Sequence, residues 1–96
     1  MADNQAMILW DRQGRERSSH RSAFRLFAAV GRRTSDRVAG GLAKARLVFA
    51  GDAVAAECDP YGFPIVAAAE RAIADAVREV FGPATAFQVL HCRVSA

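Results

Sequence analysis

A chain of 96 residues, 52% hydrophobic and 24% charged, is long enough for one core and too short for two. That composition excludes a chain disordered throughout, and the size leaves no room for a deep, enclosed cofactor site. No apolar run approaches the roughly 20 residues of a membrane-spanning helix, so no membrane partner is expected.

The net charge of +3 hides a division. Residues 1–48 carry ten basic side chains against four acidic ones, a balance of +6, and residues 49–96 carry three against six, a balance of −3. A basic half suits an anionic partner, either nucleic acid or an acidic protein surface. The opposing reading is that the two halves neutralise each other within the fold or across a homo-oligomer. The two cysteines, Cys58 and Cys92, make no disulfide framework. Residues 1–5 are polar and do not read as a secretory signal, so the expected location is the cytoplasm, with reduced thiols.

In chain order, residues 1–5 are expected to fray. Ala6–Trp10 is a short apolar run that suits either a strand or the start of a helix. Residues 11–20 are polar, broken by Gly14, and read as a basic loop carrying Arg12, Arg15 and Arg17; loops of this length often bind something. Ser19 or Ser22 can cap a following helix whose apolar face is Phe24, Phe27, Ala28 and Gly31, with Leu26 and Val30 beside it. Gly31 can end that helix, Thr34 or Ser35 can cap a second one, and Gly40-Gly41 ends it. One kinked helix is the alternative.

From Ala45 the pattern is strand (Ala45–Ala50), turn (Gly51-Asp52), strand (Ala53–Asp59), long helix (Pro64–Phe81), strand (Ala86–Val94). Gly51 at the first central position suits a type II′ hairpin. The helix presents Val66, Ala69, Ile73, Val77, Val80 and Phe81 at three- and four-residue spacing, and Gly82-Pro83 stops it. The whole chain therefore reads as a single α+β domain, residues 1–96, in two layers: an antiparallel sheet of three or four strands with helices on one face. With a strand at Met7–Trp10 the order is βαββαβ, ferredoxin-like; without it, ααββαβ, KH-like.

Candidate chemistry is sparse. His20 and His91 have no neighbour at metal-ligand spacing, and the cysteines are not paired as C-x₂-C. Glu57 and Asp59 flank Cys58 and disfavour a thiolate there. Asp52, Glu57 and Asp59 sit at a turn and a strand end, where solvation explains them. The glycines form no phosphate cradle. A helix-turn-helix with a hairpin wing is disfavoured because Val38 falls out of register for a buried recognition-helix position. No enzyme activity, metal or cofactor is expected. What remains is the arginine set: Arg12, Arg15, Arg17, Arg21, Arg25, Arg32, Arg33 and Arg37. Arginine forks match phosphate and carboxylate bidentately. Trp10, Phe24 and Phe27 look like core rather than stacking platforms.

The stretch Arg46-Leu-Val-Phe-Ala-Gly-Asp-Ala-Val-Ala-Ala-Glu-Cys-Asp-Pro-Tyr-Gly-Phe-Pro64, followed by a long helix closed by Val80-Phe81-Gly82 and a last strand, resembles the KH-like N-terminal domain of DnaA-type replication initiators. It is similar, too, to the modules of the helicase loader DciA and the clamp-loader tau C-terminus. The resemblance covers about half the chain, residues 46–94, and its elements are generic. It would place Ser22–Val30 and Ser35–Leu42 as the two helices before the hairpin. Leu9-Trp10 stands where the initiator domain opens on a Leu-Trp helix, but Gly14 and the Arg-rich loop depart from that pattern. Such domains bind the replicative helicase, each other and, weakly, single-stranded DNA; no residue role transfers. The expected function is a non-enzymatic interaction module whose Arg-rich half binds nucleic acid or a nucleic-acid-processing protein. The alternative is a small accessory subunit or protein inhibitor, of the kind mobile elements encode, that binds an acidic protein surface.

Overall fold

The computed structural model describes residues 9–10, 20–50 and 52–92, with side chains from 23 to 48 and from 52 to 92. The elements are β1 (Leu9–Trp10), α1 (His20–Arg33), α2 (Asp36–Ala43), β2 (Arg46–Ala50), β3 (Ala53–Cys58), α3 (Phe63–Ala68), α4 (Glu70–Phe81) and β4 (Ala86–His91). The α+β class and the two-layer arrangement hold. The antiparallel sheet does not: only β2 and β3 run antiparallel, while β1 pairs with β2, and β3 with β4, in parallel. The strand order is β1-β2-β3-β4, with the two-residue β1 an appendix to three longer strands. The reason is in the connections. Each parallel pair is joined through helices, and each crossover returns to the next position in the sheet. A split βαβ unit would skip a position, so the ferredoxin-like alternative is excluded. After β1 the order is ααββααβ, closer to the second alternative.

The two helices before the hairpin are separate, but their boundaries differ from expectation. Helix α1 runs through Gly31 to Arg33, and Ser35, not Thr34, caps α2 by accepting from Val38 N at 3.4 Å. The Thr34 hydroxyl instead donates to Val30 O at 2.7 Å. Helix α2 continues through Gly40-Gly41 to Ala43, and a Cβ at Gly41 would sit 3.3 Å from Val66 Cγ2. There the missing side chain lets α2 and α3 approach. The expected apolar face of α1 is rotated. Ala23, Leu26, Ala29 and Val30 are buried, while Phe24 is 57% exposed and Ala28 is exposed. The smaller residues allow α1 to pack closely on α4.

The expected single helix over 64–81 is two. Ala69 sits at φ −108°, ψ 16°, its N–H closing α3 on Val66 O at 3.1 Å while its carbonyl starts α4 through Ile73 N at 3.0 Å. The break turns Val66 toward α2 and Ile73, Ala76 and Val77 toward α1 and the sheet. All four are fully buried, as are Leu47, Val54 and Ala56 on the sheet's helix-bearing face. Burial of the Val, Ile and Leu side chains among them stabilises by roughly 1.5–3 kcal/mol each, and of the alanines by less. Gly82, at φ +119°, ends α4 in a conformation other residues rarely adopt. The hairpin closes on the pair Ala50↔Ala53; the expected type II′ geometry at Gly51 lies outside the described residues, as do the frayed segment 1–5, the loop 11–19 and the caps before α1.

Candidate interaction surface

The arginines predicted to bind fall into three groups. Arg12, Arg15 and Arg17 lie outside the described residues, and Arg21 is placed only by its position in α1. Arg32 and Arg33, at the last turn of α1, are paired within the fold, although 61% and 34% of their side-chain surfaces stay exposed. They converge on Glu79 of α4, Arg32 Nη2 at 2.8 Å from Oε2 and Arg33 Nη1 at 2.6 Å from Oε1. Hydrogen bonding from Arg33, with the charges of both guanidinium groups, holds the Glu79 carboxyl below the ordinary glutamate range. The basic half and the acidic half thus neutralise each other at this point. Arg25 and Arg37 remain exposed and form no ion pair with a described residue.

Arg37 does not stand alone. With Gly40 and Gly41 of α2 and Lys44, which caps the C-terminal end of that helix, it lines a groove of about 370 Å³. The opposite wall is the turn from Asp59 to Ile65, built on a hydrogen bond from Gly62 N to Asp59 Oδ1 at 2.6 Å. That turn puts Tyr61 at the groove with 88% of its surface exposed. Positions 37, 40/41 and 44 fall on one helical face by the three-and-four spacing. Asp36 and Asp59 also line the groove, so its two cations stand among two carboxylates. Sequence reasoning missed both Lys44 and Tyr61. The signal for Lys44 was its seven-residue spacing from Arg37; for Tyr61 it was the Pro60-Tyr61-Gly62 turn, which holds a large aromatic away from any strand or helix face.

The thiols do not form a site. The register Cys58↔His91 puts Cys58 on the helix-bearing face and Cys92, one residue on, on the other, although Cys92 N donates to Cys58 O at 2.6 Å. Both are free. Burial, then the charge of Asp59, pushes the Cys58 thiol up to about 11, so it is protonated and unreactive at neutral pH. Cys92 is raised by burial and by Glu57, against the opposing charge of Arg46. His91 is exposed and packs edge-on against Phe63, ring centroids 5.0 Å apart. Glu57 lies 3.8 Å from Arg46 across the β2–β3 pair. Among the described residues, no group of three or more His, Cys, Asp or Glu side chains is placed to hold a metal ion, and no helix is long and apolar enough to cross a membrane. No family model, curated protein or solved structure matches the chain.

Proposed function

We propose that the chain is a non-enzymatic interaction module whose Arg-rich N-terminal half binds nucleic acid or a nucleic-acid-processing protein. The observation that carries this is the face of α2. Arg37 and Lys44 are exposed, lack a carboxylate partner among the described residues, and line an open groove beside an exposed tyrosine. Cations left without partners attract phosphates, and an exposed aromatic offers a base a stacking surface. The resemblance to initiator-type domains leans the same way through its helix pair and hairpin. The chain departs from it where the single long helix of that pattern is α3 and α4, and at Leu9-Trp10, which forms strand β1 where that pattern has a helix.

The test is fluorescence anisotropy with labelled single-stranded DNA, duplex DNA and RNA across a salt series. Binding that weakens steeply with salt is expected. For single strands, the double variant Arg37→Ala, Lys44→Ala should lower affinity and reduce the salt slope by about 1.4, the loss of two phosphate contacts. No binding to any of the three at low salt removes the nucleic-acid form of the proposal.

A second reading is a small accessory subunit or inhibitor that docks on a protein. What favours it is the mixed lining of the groove: Gly40, Gly41, Ala45 and Ile65 offer apolar contact, while Asp36 and Asp59 offset the two cations. A peptide segment suits such a lining better than a continuous polyanion does. A partner captured by the native protein and lost by the same double variant, with no nucleic-acid binding in the native chain, would select this reading.

A further inference from the structure

Among the described residues strand β4 is an edge of the sheet, and its sequence carries none of the usual protection of one. Ala86–His91 contains no lysine, no other ordinarily charged residue and no proline, and none of its residues is buried. Natural sheets normally blunt such an edge, because its unpaired backbone groups template the addition of another strand. Its inner side is settled: Ala86 N donates to Asp52 O at 3.0 Å and Cys92 N to Cys58 O at 2.6 Å. By the alternation of a strand, Phe87, Val89 and His91 then turn their backbone groups outward. At the centre of these three, Val89 N donates to Glu70 Oε2 at 3.3 Å. Glu70 is the first residue of α4, set there by the helix break at Ala69.

We propose that Glu70 closes the outward edge of β4 against a second copy of this chain, whose own β4 would otherwise pair antiparallel across Val89. The strand is its own complement. Turned about Val89, it sets Phe87 opposite His91 of the copy and Gln88 opposite Leu90, with no like charges facing each other. Leu90, 37% exposed, gains cover in that pairing. A carboxylate at the middle amide occupies the central donor and places a negative charge where the incoming strand needs a carbonyl. This proposal stands apart from the anion reading and does not depend on it.

The test is sedimentation equilibrium on the native chain, Glu70→Gln and Glu70→Ala, with amide hydrogen exchange on each. Glu70→Gln keeps an oxygen that accepts from Val89, so it and the native chain should show the mass of one chain. Glu70→Ala should double that mass as concentration rises, with exchange slowing at Phe87, Val89 and His91. Adding Val89→Pro to Glu70→Ala removes the central donor and should return the single-chain mass. If that double variant does not fold, the exchange pattern of Glu70→Ala decides alone. A Glu70→Ala protein that stays a single chain overturns the proposal, as does one that associates without slower exchange at those three amides.

Discussion

Cys58 and Cys92 are adjacent in the backbone network yet lie on opposite faces of the sheet, and that difference sets their chemistry. Cys58 is 1% exposed with its thiol directed at Ala56 O, while Cys92 is half-buried on the other face. A thiol reagent at neutral pH should therefore modify Cys92 in the native protein and reach Cys58 only after denaturation, which peptide mapping of the labelled chain will read directly. The raised Cys58 value also predicts an alkaline limb of stability. A thiol that ionises less readily when folded contributes stability that is whole below its unfolded value of 9.0 and is lost as pH rises toward about 11. Denaturant titrations over that range should show native stability falling, and Cys58→Ala should flatten that part of the fall. The exposure of Asp52 and Asp59 was legible in the sequence, because turn and strand-end positions are exposed whatever the partner; that of Glu57 was not, since it lies within β3, half-buried and paired with Arg46. The exposure of Phe24 was not, since Phe24 and Ala23 are one position apart on a helix whose rotation is set by what α4 presents to it.

The two glycines of α2 look alike in the sequence and behave oppositely in the fold. A Cβ at Gly40 meets nothing within 4 Å, whereas one at Gly41 meets Val66, which is fully buried and branched at Cβ and so has little room to give. Gly40→Ala should therefore stabilise by about 0.5–1 kcal/mol, the usual helix-interior difference, while Gly41→Ala should forfeit that gain or reverse it. Paired denaturation curves of the two variants check the sign. This is where local signals mislead: Gly40-Gly41 reads as a stop, but packing against α3 keeps the helix going. The break at Ala69 is the converse. Nothing in Ala67-Ala68-Ala69 disfavours helix, and the apolar spacing runs on unbroken. The bend comes from the need of Val66 and Ile73 to face different neighbours, which is tertiary information. The hairpin register and the stop at Gly82 were legible, because turn length and a positive φ are local demands.

Across the whole molecule, the +6 and −3 halves meet where α1 packs on α4, and Glu79 takes up two of the predicted binding arginines. Composition alone allowed both an external partner and internal neutralisation; the fold uses the second for Arg32 and Arg33 and leaves Arg25, Arg37 and Lys44 without partners among the described residues. Which arginine would do which was not legible, because it depends on the packing of α1 against a helix 47 residues away in sequence. The division predicts opposite effects from one substitution. Glu79→Gln removes the carboxylate that Arg32 and Arg33 share. Its folded value is lowered, so its stabilisation is complete at neutral pH and is lost as pH falls through and below the ordinary glutamate range. The variant should melt slightly below the native chain at neutral pH, and the difference should close in acid. It should also bind single-stranded nucleic acid more tightly, with a salt slope steeper by up to about 1.4 as two guanidinium groups become free to meet phosphates. A loss of both stability and affinity would instead mean that the Glu79 clamp sets the position of the binding face, and that α1 cannot recruit its last-turn arginines without giving up its packing on α4.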